Sequence, residues 1–346
     1  MKVWLGLLTA ALLIGVFLLV TDPPDRDQDS SAIRWATSAS GSAGHRSMLA
    51  LSGLLNRHWQ GHRIDVLPTA GAVASLRGYG TGLYDGFYGA DISFHEVARD
   101  SGRLRGYSDA SQRPILQTLW VYSMEVGLAV PANRAEQHPD WQSFQDQTLF
   151  TGPAAWDVRA QLDRTLSGLD IGYRYREVDL GLAASNLARG SLDGMIVYTA
   201  GERQPPAWLQ EAQMATELHV VNPSEAERSA LQAAGVNLVE LPASLFRAGS
   251  EQRSIWLSPF LYGFHLGPEV SAEAVYQMLS LIEQHASALA QSDPVFNQLA
   301  EDMVGLQRRG IESTGSSGAI HPGLARFLKQ RNAWEPAWDE RIAEQP

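Results

Sequence analysis

The sequence predicts an α/β protein of two lobes behind an N-terminal transmembrane helix. Three observations predict it. Val3 to Val20 runs eighteen residues without a charge. The roughly 315 residues that follow are too many for one compact core of ordinary size. Their hydrophobic pattern also switches repeatedly between period 2 and the helical period, as strands and helices alternating along an α/β chain require.

Eighteen residues at about 1.5 Å each span roughly 27 Å, close to the hydrocarbon thickness of a bilayer. Lys2 precedes the run, and Asp22, Asp25, Asp27 and Asp29 follow it against the single Arg26. That asymmetry places the body outside the cytoplasm. No small-x-small pair directly follows Val20, so residues 1–21 are read as an uncleaved signal-anchor, with a cleaved leader as the alternative. Residues 22–32, rich in Pro, Asp and Ser, are read as a solvated tether.

The remainder is globular in composition, with 45% apolar residues across the chain. A net charge of −11 with no compensating basic patch argues against nucleic acid. The absence of cysteine rules out disulfides and thiolate metal sites.

The first lobe is expected over 33–122. Ile33–Thr37 alternates as a half-buried strand; Ser38 to Gly44 carry little bulk and supply three hydroxyls; Met48, Leu49, Leu51, Leu54 and Leu55 then recur at helical spacing. Ile64–Leu67 is a second strand, and Thr69 to Arg77 a small-residue turn opening a helix. Asp91–Phe94 is predicted as a third strand, ending at His95 and Glu96. Ile115–Tyr122 leads into Glu125–Val130, stopped by Pro131, and this segment is taken as the crossover into a second lobe at 123–250. There Thr148–Thr151, Tyr173–Val178, Met195–Tyr198 and Leu218–Val221 are predicted strands, in a sheet expected to be largely parallel, as in the first lobe. Ser254–Leu266 returns to the first lobe, whose closing segment is 251–334; Ser271 caps a helix reaching Leu289, and 335–346 is a tail.

Ligands of open α/β sheets bind beyond the carboxyl ends of strands, so the three strand-end turns are expected to converge on one cleft. A helix start leaves about four backbone N–H groups unpaired and carries roughly half a positive charge, which suits a small anion. In a protein whose overall field repels anions, the donors must be local. The candidates are Ser38, Ser40, Gly41, Ser42, Ala43 and Gly44, with His45, Thr69, Gly71, His95, Tyr198 and Arg203. Ser40 or Ser42 could equally serve only as a helix cap. Trp156 is either a platform for a ligand's carbon skeleton or a core ring. Arg77 is a weaker candidate, and His321 is read as a structural turn residue. His58 and His62 have i,i+4 spacing, but Gly61 interrupts the helix and no third ligand stands near. No nucleophile elbow or acid/base pair is visible, so no catalytic residue and no cofactor is assigned.

Five segments resemble the TAXI-type solute receptors of TRAP transporters. Ala36-Thr-Ser-Ala-Ser-Gly-Ser-Ala-Gly44 resembles A-T-G-x-x-G-G-T; Thr69 to Arg77 resembles T-G-G-S-V-E-N-L-R; and Gly89-Ala-Asp-Ile-Ser-Phe94 resembles G-E-A-D-I-x-F. Leu187-Ala-Arg-Gly-Ser-Leu-Asp193 with Thr199-Ala-Gly201 resembles L-x-x-G-x-I-D-A followed by A-G-x-P, and Ala319 to Phe327 resembles P-L-H-P-G-A-x-R-Y. The resemblance implies a two-lobed, type II-like periplasmic-binding-protein fold that closes on a small organic acid such as glutamate, 2-oxoglutarate or a dicarboxylate. It implies TRAP permease subunits as partner and a place on the periplasmic side of the inner membrane; the anchor read at residues 3–20 is a departure, since such receptors normally diffuse in the periplasm. A membrane-tethered sensor or adaptor on the same fold is the other reading; an enzyme on that scaffold is the weakest. The chain departs from the pattern at Thr151-Gly-Pro-Ala-Ala-Trp156-Asp157, where two hydroxyl-bearing positions are alanine and a large ring and a carboxylate follow, and at His95-Glu96, where a polar turn is shortened.

Overall fold

The computed structural model describes residues 32–111, 113–246 and 252–344. Strand β1 (Ala32–Thr37) leads through the 38–42 turn into α1 (Ala43–His58), capped by Ser42, whose side chain accepts from the His45 N–H. β2 (Arg63–Pro68), α2 (Ala72–Gly80), β3 (Gly86–Ala90), α3 (Asp91–Ala98) and the short α4 (Tyr107–Ala110) follow. β4 (Leu116–Gln117) precedes β5 (Leu119–Pro131), all of whose residues are buried. Then come β6 (Thr148–Phe150), α5 (Asp157–Ser167), β7 (Arg174–Tyr175), α6 (Ala183–Ala188), β8 (Gly194–Ala200), α7 (Ala207–Ala215), β9 (Leu218–Val221), α8 (Glu225–Ala233) and β10 (Val239–Pro242). The long β11 (Ser254–Leu266), α9 (Ala272–Ser292), α10 (Asn297–Ser313), β12 (Ala319–Ile320) and α11 (Pro322–Gln330) complete the chain.

One mixed sheet runs in the order β2-β1-β3-β11-β5-β8-β6-β7, with β10 added to β11 and β9 to β5. The expectation of largely parallel sheets is corrected here. β1 and β3 are parallel, as are β6, β7 and β8, but β11 runs antiparallel to both β3 and β5, and β5 runs antiparallel to β8. The reason is topological. β5 carries the chain out along the sheet and β11 carries it back beside β5, so the central pair must oppose. The register places Tyr262 opposite both Ala90 and Tyr122.

A second correction concerns the third strand. It ends at Ala90, and Asp91–Phe94 begins α3 instead. Gly86–Ala90 is wholly buried between β1 and β11, so it carries no alternation. The apolar-polar alternation of Asp91–Phe94 is one helical turn, with Asp91 accepting from the Ile92 N–H at 2.7 Å. The segments at 115–122 and 125–130 are joined in β5, and Tyr173–Val178 shortens to β7. Ser271 caps α9 as expected, accepting from the Ala274 N–H.

The anchor read at 1–21, and all of the tether except Ala32, lie outside the described residues. Among those described, no helix is long and apolar enough to cross a membrane.

α10 packs on β5 through one close approach: Gly310 lies against the Trp120 indole, which is fully buried, and a methyl there would overlap the ring. Gly310→Ala is therefore expected to destabilise the protein by about 1–3 kcal/mol, as overpacking does. A chemical denaturation midpoint unchanged from wild type would show that the helix can slide to make room.

Candidate functional site

The 38–44 turn and the starts of α2, α5 and α7 surround a cavity of about 350 Å³. Ser38, Ser40, Gly41, Ser42, Ala43 and Gly44 all line it. Ser38 and Ser42 join hydroxyls at 2.5 Å, which sets the curl of the turn. Gly44 is required by close approach: a Cβ would stand 2.5 Å from Cζ of Tyr88 and 2.7 Å from the Ser38 hydroxyl. Gly71, the residue before α2, has φ +151°, a backbone conformation that favours glycine, and a Cβ there would stand in ordinary contact with the Trp156 ring, 3.4 Å from Cδ1.

Four helices present their first turns to this space: α1 after Ser42, α2 after Gly71, α5 after Trp156 and α7 after Pro206. Each contributes unpaired N–H groups and a partial positive charge. Arg46 adds a full charge while its Nη1 donates to the Gly41 carbonyl at 2.7 Å. Among the described residues Arg46 is the one basic side chain lining the cavity.

The walls are aromatic. Tyr88 and Tyr262 stack with centroids 4.2 Å apart, and the Tyr88 and Tyr122 hydroxyls meet at 2.8 Å. The Tyr198 oxygen accepts from the Trp208 indole N–H at 3.1 Å. Burial pushes the Tyr198 phenol up to about 12, and burial holds Tyr88 and Tyr262 well above the usual phenol range, so all three are neutral donors.

Asp157, at the start of α5, is fully buried at the cavity wall and saturated. Arg103 reaches its Oδ1 at 2.7 Å, the Ser93 hydroxyl donates to the same oxygen at 3.3 Å, and the Tyr262 hydroxyl donates to Oδ2. Arg103 also holds Glu96 through Nη2 at 2.7 Å. Burial works against the guanidinium charge, but Asp157 and Glu96 outweigh it and hold Arg103 above its ordinary value. The cluster ties α3 and β11 to α5.

Of the candidates named from sequence, Trp156, Tyr198, Gly71 and the 38–44 turn come together here. Four do not. His45 bonds Thr37 through Nδ1 at 3.1 Å, and Thr69 donates to the Thr37 carbonyl at 2.6 Å, so both brace the turn from behind. Arg203 pairs with Glu301 at 2.8 Å and is half exposed away from the cavity. His95 bonds the Ser313 carbonyl at 2.8 Å and lines a separate groove beside Arg99 and Arg164. The expected convergence of three strand-end turns thus holds for two, because Asp91–Ala98 is helix and carries His95 a turn away from the strand end. Arg77 is spent on the Arg103 and Arg105 carbonyls. His321 caps α11, accepting from the Gly323 N–H at 3.1 Å. His58 stacks on His285 and His62 packs on Trp59, and among the described residues no cluster of three metal-binding side chains occurs.

Sequence reasoning missed Arg46, Tyr88, Trp208 and Tyr262. Arg46, four residues after the capping serine, was legible as a first-turn cation. The tyrosines were not, since they meet only when β3 and β11 pair.

No family model matches the sequence, and no curated protein matches it. Solved structures do. The chain is similar to MatC from Rhodopseudomonas palustris with bound malate, at a TM-score of 0.50 and 12% identity, over 83% of this chain and 96% of that one. The two share a mixed α/β fold. Two further similarities have a TM-score of 0.48 and 12% identity. One is to the periplasmic sulfonate-binding protein SsuA of a putative sulfonate ABC transporter from Methylobacillus flagellatus KT, over 87% of this chain and 95% of that one. The other is to XAC2383 from Xanthomonas citri bound to chloride ion, over 87% and 99%.

Proposed function

We propose that the protein is an extracytoplasmic solute-binding receptor for a small organic acid, held in the cavity at the 38–44 turn. The observation that carries this reading is the meeting of four helix starts and Arg46 in one cavity, with a single carboxylate in its wall that is already ion-paired and hydrogen-bonded. N–H groups of α1, the Ser40 and Ser42 hydroxyls and Arg46 take the acid's carboxylate; Trp156 and Tyr198 cover its carbon skeleton.

In this reading the chain is a two-lobed, type II-like periplasmic binding protein, with lobes at 33–122 plus 251–334 and at 123–250. β5 and β11 are the strands that flex when the lobes close. The segments that resemble TAXI receptors supply the finer assignment: a TRAP permease as partner, ion-gradient-driven uptake, a periplasmic site, and glutamate, 2-oxoglutarate or a related dicarboxylate as the family's ligands. The chain binds and releases its ligand without reaction.

The test is a thermal-shift screen of the full chain against mono- and dicarboxylates, amino acids and neutral controls. A ligand at about 100 times its Kd adds roughly 2.7 kcal/mol, which moves Tm by several degrees. Arg46→Met is expected to weaken the bound acid at least about tenfold, in line with the roughly 1.5–3 kcal/mol of a charged hydrogen bond. A folded, ligand-free sample that no acid stabilises would overturn the receptor reading.

A further inference from the structure

We infer that the acid this cavity selects is a monocarboxylate with a flat apolar or aromatic body and no amino group. The inference rests on the receptor reading above and narrows its ligand. Three features of the cavity point to it: charge count, wall chemistry and the state of Asp157.

The cavity supplies one full positive charge, on Arg46, which suits one carboxylate. A second carboxylate would find no second cation. The remaining walls are mainly apolar and aromatic, with Met124, Trp156, Tyr198, Trp208 and Tyr262 among the largest side chains and the Gln204 amide beside them. Aromatic faces carry the negative lobe of the ring quadrupole, so they repel an anion laid on them and welcome an apolar or aromatic surface. Two of the polar atoms of these rings are already committed, the Trp208 N–H to Tyr198 and the Tyr262 hydroxyl to Asp157. At about 350 Å³ the space lies near the lower end of the roughly 300–1,000 Å³ range of small-molecule sites, enough for one ring and a short acid side chain.

Asp157 would be the natural partner of an ammonium group, and aromatic walls alone would suit a cation. Both of its carboxylate oxygens are taken, by Arg103 and Ser93 on one side and Tyr262 on the other, and it has no exposed surface. An α-amino group would therefore be desolvated without a partner while facing four helix starts. The same argument excludes a simple cation.

Isothermal titration of the full chain with matched ligands tests this. The pairs are 3-phenylpropanoate against glutarate and phenylpyruvate against 2-oxoglutarate, with phenylalanine and phenethylamine as the amino controls. The phenyl acids are expected to bind at least tenfold tighter than their dicarboxylate partners and than phenylalanine, with no binding of phenethylamine. Trp208→Ala is expected to weaken the phenyl acids at least tenfold, and Trp208→Phe to restore most of the loss, which separates a stacking role from misfolding. Dicarboxylates or glutamate-like amino acids binding as tightly as the phenyl acids would overturn the inference and leave the receptor reading standing. Phenethylamine binding tightest would overturn both, as would a chain that takes no acid of either class.

Discussion

Replacing Arg103 by methionine is expected to cost the protein about 3 kcal/mol or more, because breaking a buried ion pair from one side leaves a charge without its partner. Asp157 has no exposed surface, and Arg103 and Glu96 retain only 14% and 12% of theirs. Methionine preserves the length and packing of the arginine stem but supplies no donor to either carboxylate. The Tyr262 and Ser93 hydroxyls remain on Asp157, and the first turn of α5 still favours its charge, which keeps the expected loss toward the lower end of the usual 3–5 kcal/mol. Removing the orphaned charge with Asp157→Asn in the Arg103→Met background should recover part of the loss, so the double-mutant cycle by chemical denaturation is predicted to show clear coupling. Additive effects of the two changes would mean that the ion pair contributes nothing specific. Arg103 also reaches the Ala155 carbonyl at 3.4 Å, beside Trp156, so the same variant should weaken ligand binding.

The second large effect concerns pH. Glu125 lies inside β5, fully buried, where it accepts from the hydroxyls of Ser123 and Thr199 and from the Glu202 N–H at 3.1 Å. Burial is the main cause of its rise from 4.5 to about 7; the two hydroxyls oppose the rise and the Glu202 charge adds to it. A carboxyl whose value is higher folded than unfolded takes up a proton on folding. Its stabilising contribution is complete below about pH 4.5 and is lost as pH rises through about 7. The interval is worth on the order of 3 kcal/mol. Two buried histidines act with the opposite sign: burial lowers His265 to about 3 and His321 to about 4, so their contribution is present above 6.5 and lost on acidification. The wild-type profile between pH 4.5 and 6.5 is accordingly flattened by offsetting terms, and the comparison with Glu125→Gln isolates the carboxyl. The variant is expected to gain stability relative to wild type as pH rises from 5 to 8. Parallel profiles for the two proteins over that range would refute the assignment.

Asp91 and Glu125 show why the third strand and the buried carboxyls were hard to read from the chain. Asp-Ile-Ser-Phe has the alternation of a strand and the first turn of a helix alike, and four residues are too few for the period to decide. The strand that does form, Gly86–Ala90, is covered on both faces and so has no alternation to read. Glu125 was placed in an apolar strand by its neighbours, but of the three donors that allow a carboxyl there only Ser123 is local; Thr199 and Glu202 lie more than seventy residues away.

What the sequence determined by itself is local. The small-residue turn at Ser38–Gly44, a serine cap at its end that was either Ser40 or Ser42, the cap at Ser271, the helix starts after Gly71 and Trp156, and the strands β1, β2, β9 and β11 all follow from side-chain bulk, capping chemistry and hydrophobic period over short local stretches. What only the tertiary structure decided is which of these meet. Antiparallel pairing of β11 with β3 and β5 brings Tyr262 beside Tyr88 and Tyr122, and the docking of α5 against α3 spends Asp157 on Arg103. The partners in each case are 54 residues or more apart along the chain. Hydrophobic periodicity reports which face of an element is buried and carries no information about the element it is buried against, so the aromatic walls and the neutralised carboxylate of the cavity exist only in the fold.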